Sequence, residues 1–66
     1  MFHNLEAEMA RSKVTVKDIA KCINKTEKSV RNKLQGIRPF TWPEIVMIRD
    51  SYFPDMDLQY LFEQSA

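Results

Sequence analysis

This chain of 66 residues has very little glycine, proline or cysteine. It contains one glycine, three prolines and one cysteine. Because turn residues are scarce and Leu, Ile, Met, Lys, Glu and Gln are common, the composition favours several short helices over a sheet. Cys22 has no second cysteine for an internal disulfide, so the fold must rest on packing. The length suits one small core, and we expect a single domain over residues 1–66.

Long apolar runs are also missing. No stretch approaches the roughly 20 apolar residues that span a bilayer, and the first ten residues carry two acids and no basic leader region. We therefore expect a soluble, cytoplasmic protein. The single histidine, His3, has no Cys or His at ligand spacing, and the chain has no glycine-rich phosphate loop. An enzyme, a metal site and a cofactor are all unexpected.

The net charge of +1 conceals an uneven distribution. Residues 11–38 contain nine Lys and Arg side chains against two acids, whereas residues 1–10 contain two acids and residues 39–66 contain one Arg and five acids. One part of the chain therefore attracts a polyanion while the rest does not. The alternative interpretation is a merely solvated charged face.

Apolar spacing and capping signals divide the chain into five predicted helices. They span about residues 4–12, 16–22, 27–35, 42 to 50 or 52, and 58–64. Each begins at a residue that favours the N-cap position: Asn4, Thr15, Thr26, Thr41 and Asp57. Asn24 and Gly36 tolerate a left-handed backbone and are expected to end the second and third helices. We predict an all-α fold of five short helices.

The inner faces of these helices supply the expected core. The fourth helix is expected to contribute Trp42, Ile45 and Ile48 to this core. Lys33 is expected to pack its aliphatic chain beside the core and to expose its amine. The last third of the chain contains six aromatic residues: Phe40, Trp42, Tyr52, Phe53, Tyr60 and Phe62. They are expected to pack helices four and five together, and any of them that stay exposed would mark a partner site.

The second and third helices are joined by about three residues and lie in the basic block. This is the layout of a helix-turn-helix over about residues 16–35, whose second helix enters the major groove of DNA. Ala20 is small, as required where the third helix crosses close above it. Ile19, Ile23 and Val30 are apolar, as required to hold the two helices at a fixed angle. The charged outer face is then presented rigidly to the groove.

The chain resembles the Cro and phage-repressor helix-turn-helix family, also named after the xenobiotic response element regulator, over nearly its whole length. The second helix and turn are similar in residues 15–24 (TVKDIAKCIN), and the recognition helix in residues 26–36 (TEKSVRNKLQG). The tail (RPFT, RDSYFPDM and YLF) is similar to small prophage regulators of Gram-positive bacteria. Val16 departs from the family's phosphate-holding glutamine, Lys25 from a usual apolar residue, and Asn24 from a usual glycine.

The resemblance implies a lambda-repressor-like fold and a repressor that binds double-stranded DNA in a bacterial or phage-infected cell. It places Glu27, Lys28 and Asn32 where the family contacts base edges, and their helical spacing agrees with this. For Glu27 the alternative is a purely structural acid in the first turn. The residues expected at phosphates are Thr26, Ser29, Arg31, Gln35, Arg38 and Lys17.

Small DNA-binding proteins of this kind bind near-palindromic operators as homodimers. In the family the last helix often forms the dimer contact, so Leu58, Tyr60 and Phe62 are the candidates here. No small-molecule ligand is expected. The alternative function is a protein-interaction module, such as an antitoxin-like or anti-repressor subunit, that keeps the same fold. It would depend on the acidic and aromatic C-terminal surface rather than on Lys28, Arg31 and Asn32.

Overall fold

The structure, a computed structural model, describes residues 1–64. Over this range the protein is all-helical and contains five helices and no strand, which confirms the predicted all-α architecture. The helices are α1 (His3–Ser12), α2 (Val16–Ile23), α3 (Glu27–Leu34), α4 (Trp42–Tyr52) and α5 (Leu58–Leu61). None of these helices is long and apolar enough to cross a membrane.

The helix starts follow the predicted capping residues in four of five cases. Thr15 and Asp18 form a reciprocal capping box at α2, and Thr41 and Glu44 form another at α4. The side chains of Thr26 and Asp57 accept backbone N–H groups at α3 and α5.

The predicted cap at Asn4 is wrong. Helix α1 begins one residue earlier, at His3, and its N-cap residue Phe2 makes no side-chain cap. The Asn4 amide instead donates to the carbonyl oxygen of Tyr60 at 2.8 Å and to the carboxylate of Glu63 at 3.3 Å. A tertiary contact with α5 has therefore replaced the local one.

A residue in the left-handed conformation follows each of the first three helices, directly after α1 and α2 and one residue later, after Gln35, at α3. These residues are Lys13 (φ 58°), Asn24 (φ 58°) and Gly36 (φ 85°). At Asn24 the next N–H, that of Lys25, reaches back to the carbonyl of Ala20 at 2.9 Å, and the same six-residue closure joins Ile37 to Asn32. The stops predicted at Asn24 and Gly36 are confirmed, while the stop at Lys13 had no glycine or asparagine to signal it.

Helix α5 is shorter than the predicted span to about residue 64. It ends at Leu61, and Phe62 leaves the helical conformation (φ −105°, ψ 23°). The Phe62 ring lies edge-on to Phe2 and Phe40, with ring centroids 6.2 and 5.4 Å away. This aromatic cluster joins the two ends of the described chain to the α3–α4 loop.

Helix α2 is central in the fold because it packs against both α3 and α4, while α5 packs against α1 and α4. The five largest side chains that are fully buried are Leu5, Ile19, Val30, Ile48 and Leu61. The expectation that Trp42 faces inward is wrong, since this residue is 66% exposed. Trp42 is the first residue of α4, so its side chain extends beyond the core that Ile48 fills nearly two turns later.

Candidate nucleic-acid interface

Helices α2 and α3 pack closely and are separated by three residues, Asn24, Lys25 and Thr26. The left-handed Asn24 reverses the chain, and Thr26 immediately caps the next helix by accepting the N–H of Ser29 at 3.1 Å. The sequence folds this way locally because both turn residues supply hydrogen bonds that the helix ends lack. Ile23 and Val30 are buried between the two helices.

The two sides of α3 differ sharply. Val30, Lys33 and Leu34 are buried on its inner side. On the outer side Lys28 is exposed and Asn32, one turn later, is half-buried. The exposed face therefore presents an ammonium and a carboxamide, which are the groups that pair with base edges in a groove.

Glu27 lies at the first position of α3 and pairs with Arg31 at 3.3 Å, one turn along the helix. Both side chains are about half exposed, so the pair contributes little to stability. An acid in the first turn is also favoured by the helix dipole. The structure thus supplies a structural role for Glu27, and its base contact stays a prediction.

The residues predicted at phosphates are accessible to different degrees. Lys17, Thr26, Arg31, Gln35 and Arg38 are exposed, and Ser29 is half-buried. The Arg38 N–H lies 3.4 Å from the Asn32 carbonyl, so the loop after α3 is folded back onto the helix end. Thr26 uses its oxygen as an acceptor for the cap, which leaves its hydroxyl proton as a donor.

Most of the basic block carries charge that no acid neutralises. Of its nine Lys and Arg residues, three form ion pairs within the described chain, and these are Arg11, Arg31 and Lys33. The other six are exposed and have no acidic partner within ion-pair distance in residues 1–64: Lys13, Lys17, Lys21, Lys25, Lys28 and Arg38. Uncompensated charge of one sign attracts a polyanion.

The expectation that Lys33 exposes its amine is wrong. Its Nζ donates to both carboxylate oxygens of Glu44, at 2.5 and 2.6 Å, and both side chains are more than nine-tenths buried. Burial raises the pKa of Glu44, but hydrogen bonds from Lys33 and from the Thr41 N–H outweigh it and hold that pKa below its usual range. Sequence reasoning identified Glu44 only as the second member of a capping box. The spacing of residues gave no sign that a lysine eleven residues earlier would form an ion pair with the Glu44 carboxylate.

The residues predicted for dimer contact lie beside an open groove of about 510 Å³ between α4 and α5. Leu58 and Phe62 line it and are half-buried, whereas Tyr60 lies outside it and is 43% exposed. The Tyr60 hydroxyl donates to Glu8 at 2.9 Å, and this bond raises the pKa of the phenol. Trp42 also lines the groove. The sequence predicted it in the core and named it only among the aromatics that would mark a partner site if exposed.

The last feature is the group of residue types that can bind a metal, which includes Cys22. The Cys22 thiol lies 3.5 Å from the Ser51 hydroxyl and 3.6 Å from the Met47 carbonyl, where it packs α2 against α4. In the part of the chain that the structure describes, no three His, Cys, Asp or Glu residues are grouped as a metal would require.

No protein-family model matches this chain, and the searches of curated proteins and of solved structures also found no match. The resemblance to the Cro family therefore rests on the sequence motifs themselves.

Proposed function

We propose that this protein is a sequence-specific DNA-binding regulator, a Cro-like repressor that occupies an operator through the major groove. One observation carries the proposal. Helix α3 is anchored by buried Val30, Lys33 and Leu34 on one side, and its other side carries the exposed Lys28 and the half-buried Asn32. Helix α2 and the intervening turn then act as the first half of a helix-turn-helix in a lambda-repressor-like domain.

The proposed base contacts follow from the chemistry of the exposed groups. The Asn32 carboxamide suits the paired donor and acceptor of adenine, Lys28 suits the acceptors of guanine, and Glu27 can accept from the amino group of cytosine. Each good contact discriminates against a wrong base by about 1 to 3 kcal/mol. Glu27 must release Arg31 to do so, and this is inexpensive because their pair is solvent-exposed.

Phosphate contacts orient the domain without reading sequence. Lys17 and Arg38 supply charge at either end of the motif, and Arg31 does so beside the base-contacting residues. The other proposed phosphate ligands, Thr26, Ser29 and Gln35, are neutral donors within α3 or at its two ends. Their net effect is affinity that falls steeply with salt.

A homodimer would place two α3 helices roughly 34 Å apart, which is one turn of DNA, on a near-palindrome. The apolar side chains of the α4–α5 groove support a dimer contact there, with Leu58, Tyr60 and Phe62 as the predicted residues and Trp42 added by its exposure.

The deciding experiment is selection of bound duplexes from a random DNA pool at near-physiological salt, which suppresses non-specific phosphate binding. We expect an enriched near-palindrome. Asn32→Ala is then expected to relax base preference at one position of each half-site. Arg38→Ala is expected to weaken binding to all duplexes alike and to lower the salt dependence by about one counterion. If the two variants behave identically, the division into base and phosphate contacts is wrong.

A protein-interaction module is the second candidate, and the exposed aromatics favour it. Trp42 and Tyr60 keep 66% and 43% of their surface in solvent, and contiguous exposed apolar surface marks a site for a partner. If this is the function, the DNA pool is expected to stay random after selection although the protein is folded. It also requires that loss of Lys28 leaves the cellular effect intact.

A further inference from the structure

Lys33 is a buried charge on the inner side of the helix whose outer side carries the proposed DNA contacts. Its ammonium and the Glu44 carboxylate are both withdrawn from water and meet through two short hydrogen bonds. Well-packed apolar residues in place of such a pair often give equal or greater stability. Stability alone therefore does not account for a lysine at this position.

The pair connects two helices that otherwise have little contact. Helix α3 packs mainly on α2, and α4 packs on α2 and α5, whereas α3 and α4 are not among the closely packed pairs of the described chain. Lys33 lies in the last turn of α3, and Glu44 in the first turn of α4. Glu44 is itself held, because its Oε1 also accepts the Thr41 N–H at 2.9 Å.

A buried ion pair penalises departures from its own arrangement. Moving Lys33 away from Glu44 leaves a buried charge unpaired, whereas a shift of an apolar neighbour such as Leu34 leaves no charge without its partner. Asn32 precedes Lys33 directly, and its carbonyl accepts the Ile37 N–H at 2.9 Å. Lys33 is therefore connected through the backbone of Asn32 to the loop that contains Arg38.

We propose that Lys33 and Glu44 are a positioning pair that sets the orientation of α3 and thereby its selectivity for DNA sequence. The second half of this inference rests on the proposed function. Neither residue contacts DNA in this scheme, and both act through Asn32 and its neighbours.

The test compares the wild type with the double variant Lys33→Met, Glu44→Gln. Methionine keeps the length of the lysine stem, and glutamine keeps an oxygen for the Thr41 N–H. The net charge is unchanged, so attraction to random DNA is expected to stay within about twofold. Two quantities are measured. Residual dipolar couplings of backbone amides give the orientation of α3 relative to α4 without DNA, and binding assays give the affinity ratio between the selected duplex and random DNA.

The control is Leu5→Ala, which weakens the core at α1, a helix that packs closely on α5, and leaves the pair in place. We expect the folded double variant to show a changed or less ordered α3 and an affinity ratio lowered about tenfold or more, equivalent to one lost base contact. Leu5→Ala is expected to lower stability while keeping the ratio.

Unchanged couplings in the double variant would overturn the positioning role, as would an equal loss of selectivity in Leu5→Ala. Changed couplings with an unchanged ratio would overturn the link to selectivity. If the wild type itself prefers no DNA sequence, the proposed function fails, and the couplings alone then decide whether the pair orients α3.

Discussion

Neutralising Glu44 is the most direct test of how α3 is held. Glu44→Gln preserves the size of the side chain but removes the charge opposite Lys33, whose side chain is 8% exposed. Removing one partner of a buried pair costs about 3 to 5 kcal/mol, because the other charge stays buried without compensation. A domain of this length is stable by about 3 to 10 kcal/mol in total. We therefore expect a variant that is partly unfolded at 25 °C and folds better on cooling or with DNA bound.

The matched control is Asp18→Asn. Asp18 occupies the same capping-box position in α2, with its carboxylate accepting the Thr15 N–H at 2.9 Å. It forms no ion pair within residues 1–64, so its neutralisation removes only an exposed cap contact. Urea unfolding followed by far-ultraviolet circular dichroism at pH 7 is expected to show a much larger loss for Glu44→Gln than for Asp18→Asn.

Acid adds a second readout. The folded-state pKa of Glu44 lies below its ordinary value of 4.5, despite burial, because Lys33 and Thr41 donate hydrogen bonds to the carboxylate. Its stabilising contribution is thus complete above about pH 4.5 and is lost as the pH falls through the folded-state pKa. The wild type should lose stability over that interval more steeply than Glu44→Gln. Equal costs for the two neutralisations, or parallel curves against pH, would refute the reasoning.

Three further outcomes test the fold and its surface. Lys13→Gly is expected to stabilise the protein by up to about 1 kcal/mol, because lysine is strained at positive φ, whereas Asn24→Gly is expected to be nearly neutral. Thermal unfolding measures both variants. A loss of stability in Lys13→Gly would contradict the left-handed turn at this residue. Ile48→Ala is expected to cost about 2 to 5 kcal/mol, because the residue is 0% exposed in the core; a urea-unfolding loss below 1 kcal/mol would contradict this packing. Trp42→Ala is expected to change stability by less than about 0.5 kcal/mol, while sedimentation equilibrium with an operator duplex shows weaker dimer formation. Unaltered dimer formation would remove the α4–α5 groove from the proposed interface.

Local chemistry was enough to locate most of the helices. Thr15, Thr26 and Thr41 cap helices because a hydroxyl oxygen satisfies an N–H within three residues, and this needs no information about the rest of the chain. Asn24 and Gly36 stop helices for an equally local reason. The charge distribution likewise places α2 and α3 in the basic part of the chain.

The tertiary structure decided where polar side chains find their partners. Asn4 is a plausible cap by sequence, yet its amide bonds to Tyr60 because α1 and α5 come together, and only the folded chain makes that carbonyl available. Trp42 is a large aromatic residue of the kind that is typical of a core. It lies outside the core because it is the first residue of α4, beyond the part of the helix that packs against the interior.

Lys33 shows the limit most clearly. Its spacing on α3 predicts a residue on the inner side, and a lysine there normally extends its amine to water. The amine stays buried because the fold brings Glu44 to it, in a geometry that compensates for two desolvated charges. Short-range hydrogen bonds are determined by residues that are neighbours in sequence. The compensation of a buried charge depends instead on which group, distant in sequence, lies beside it in the folded chain.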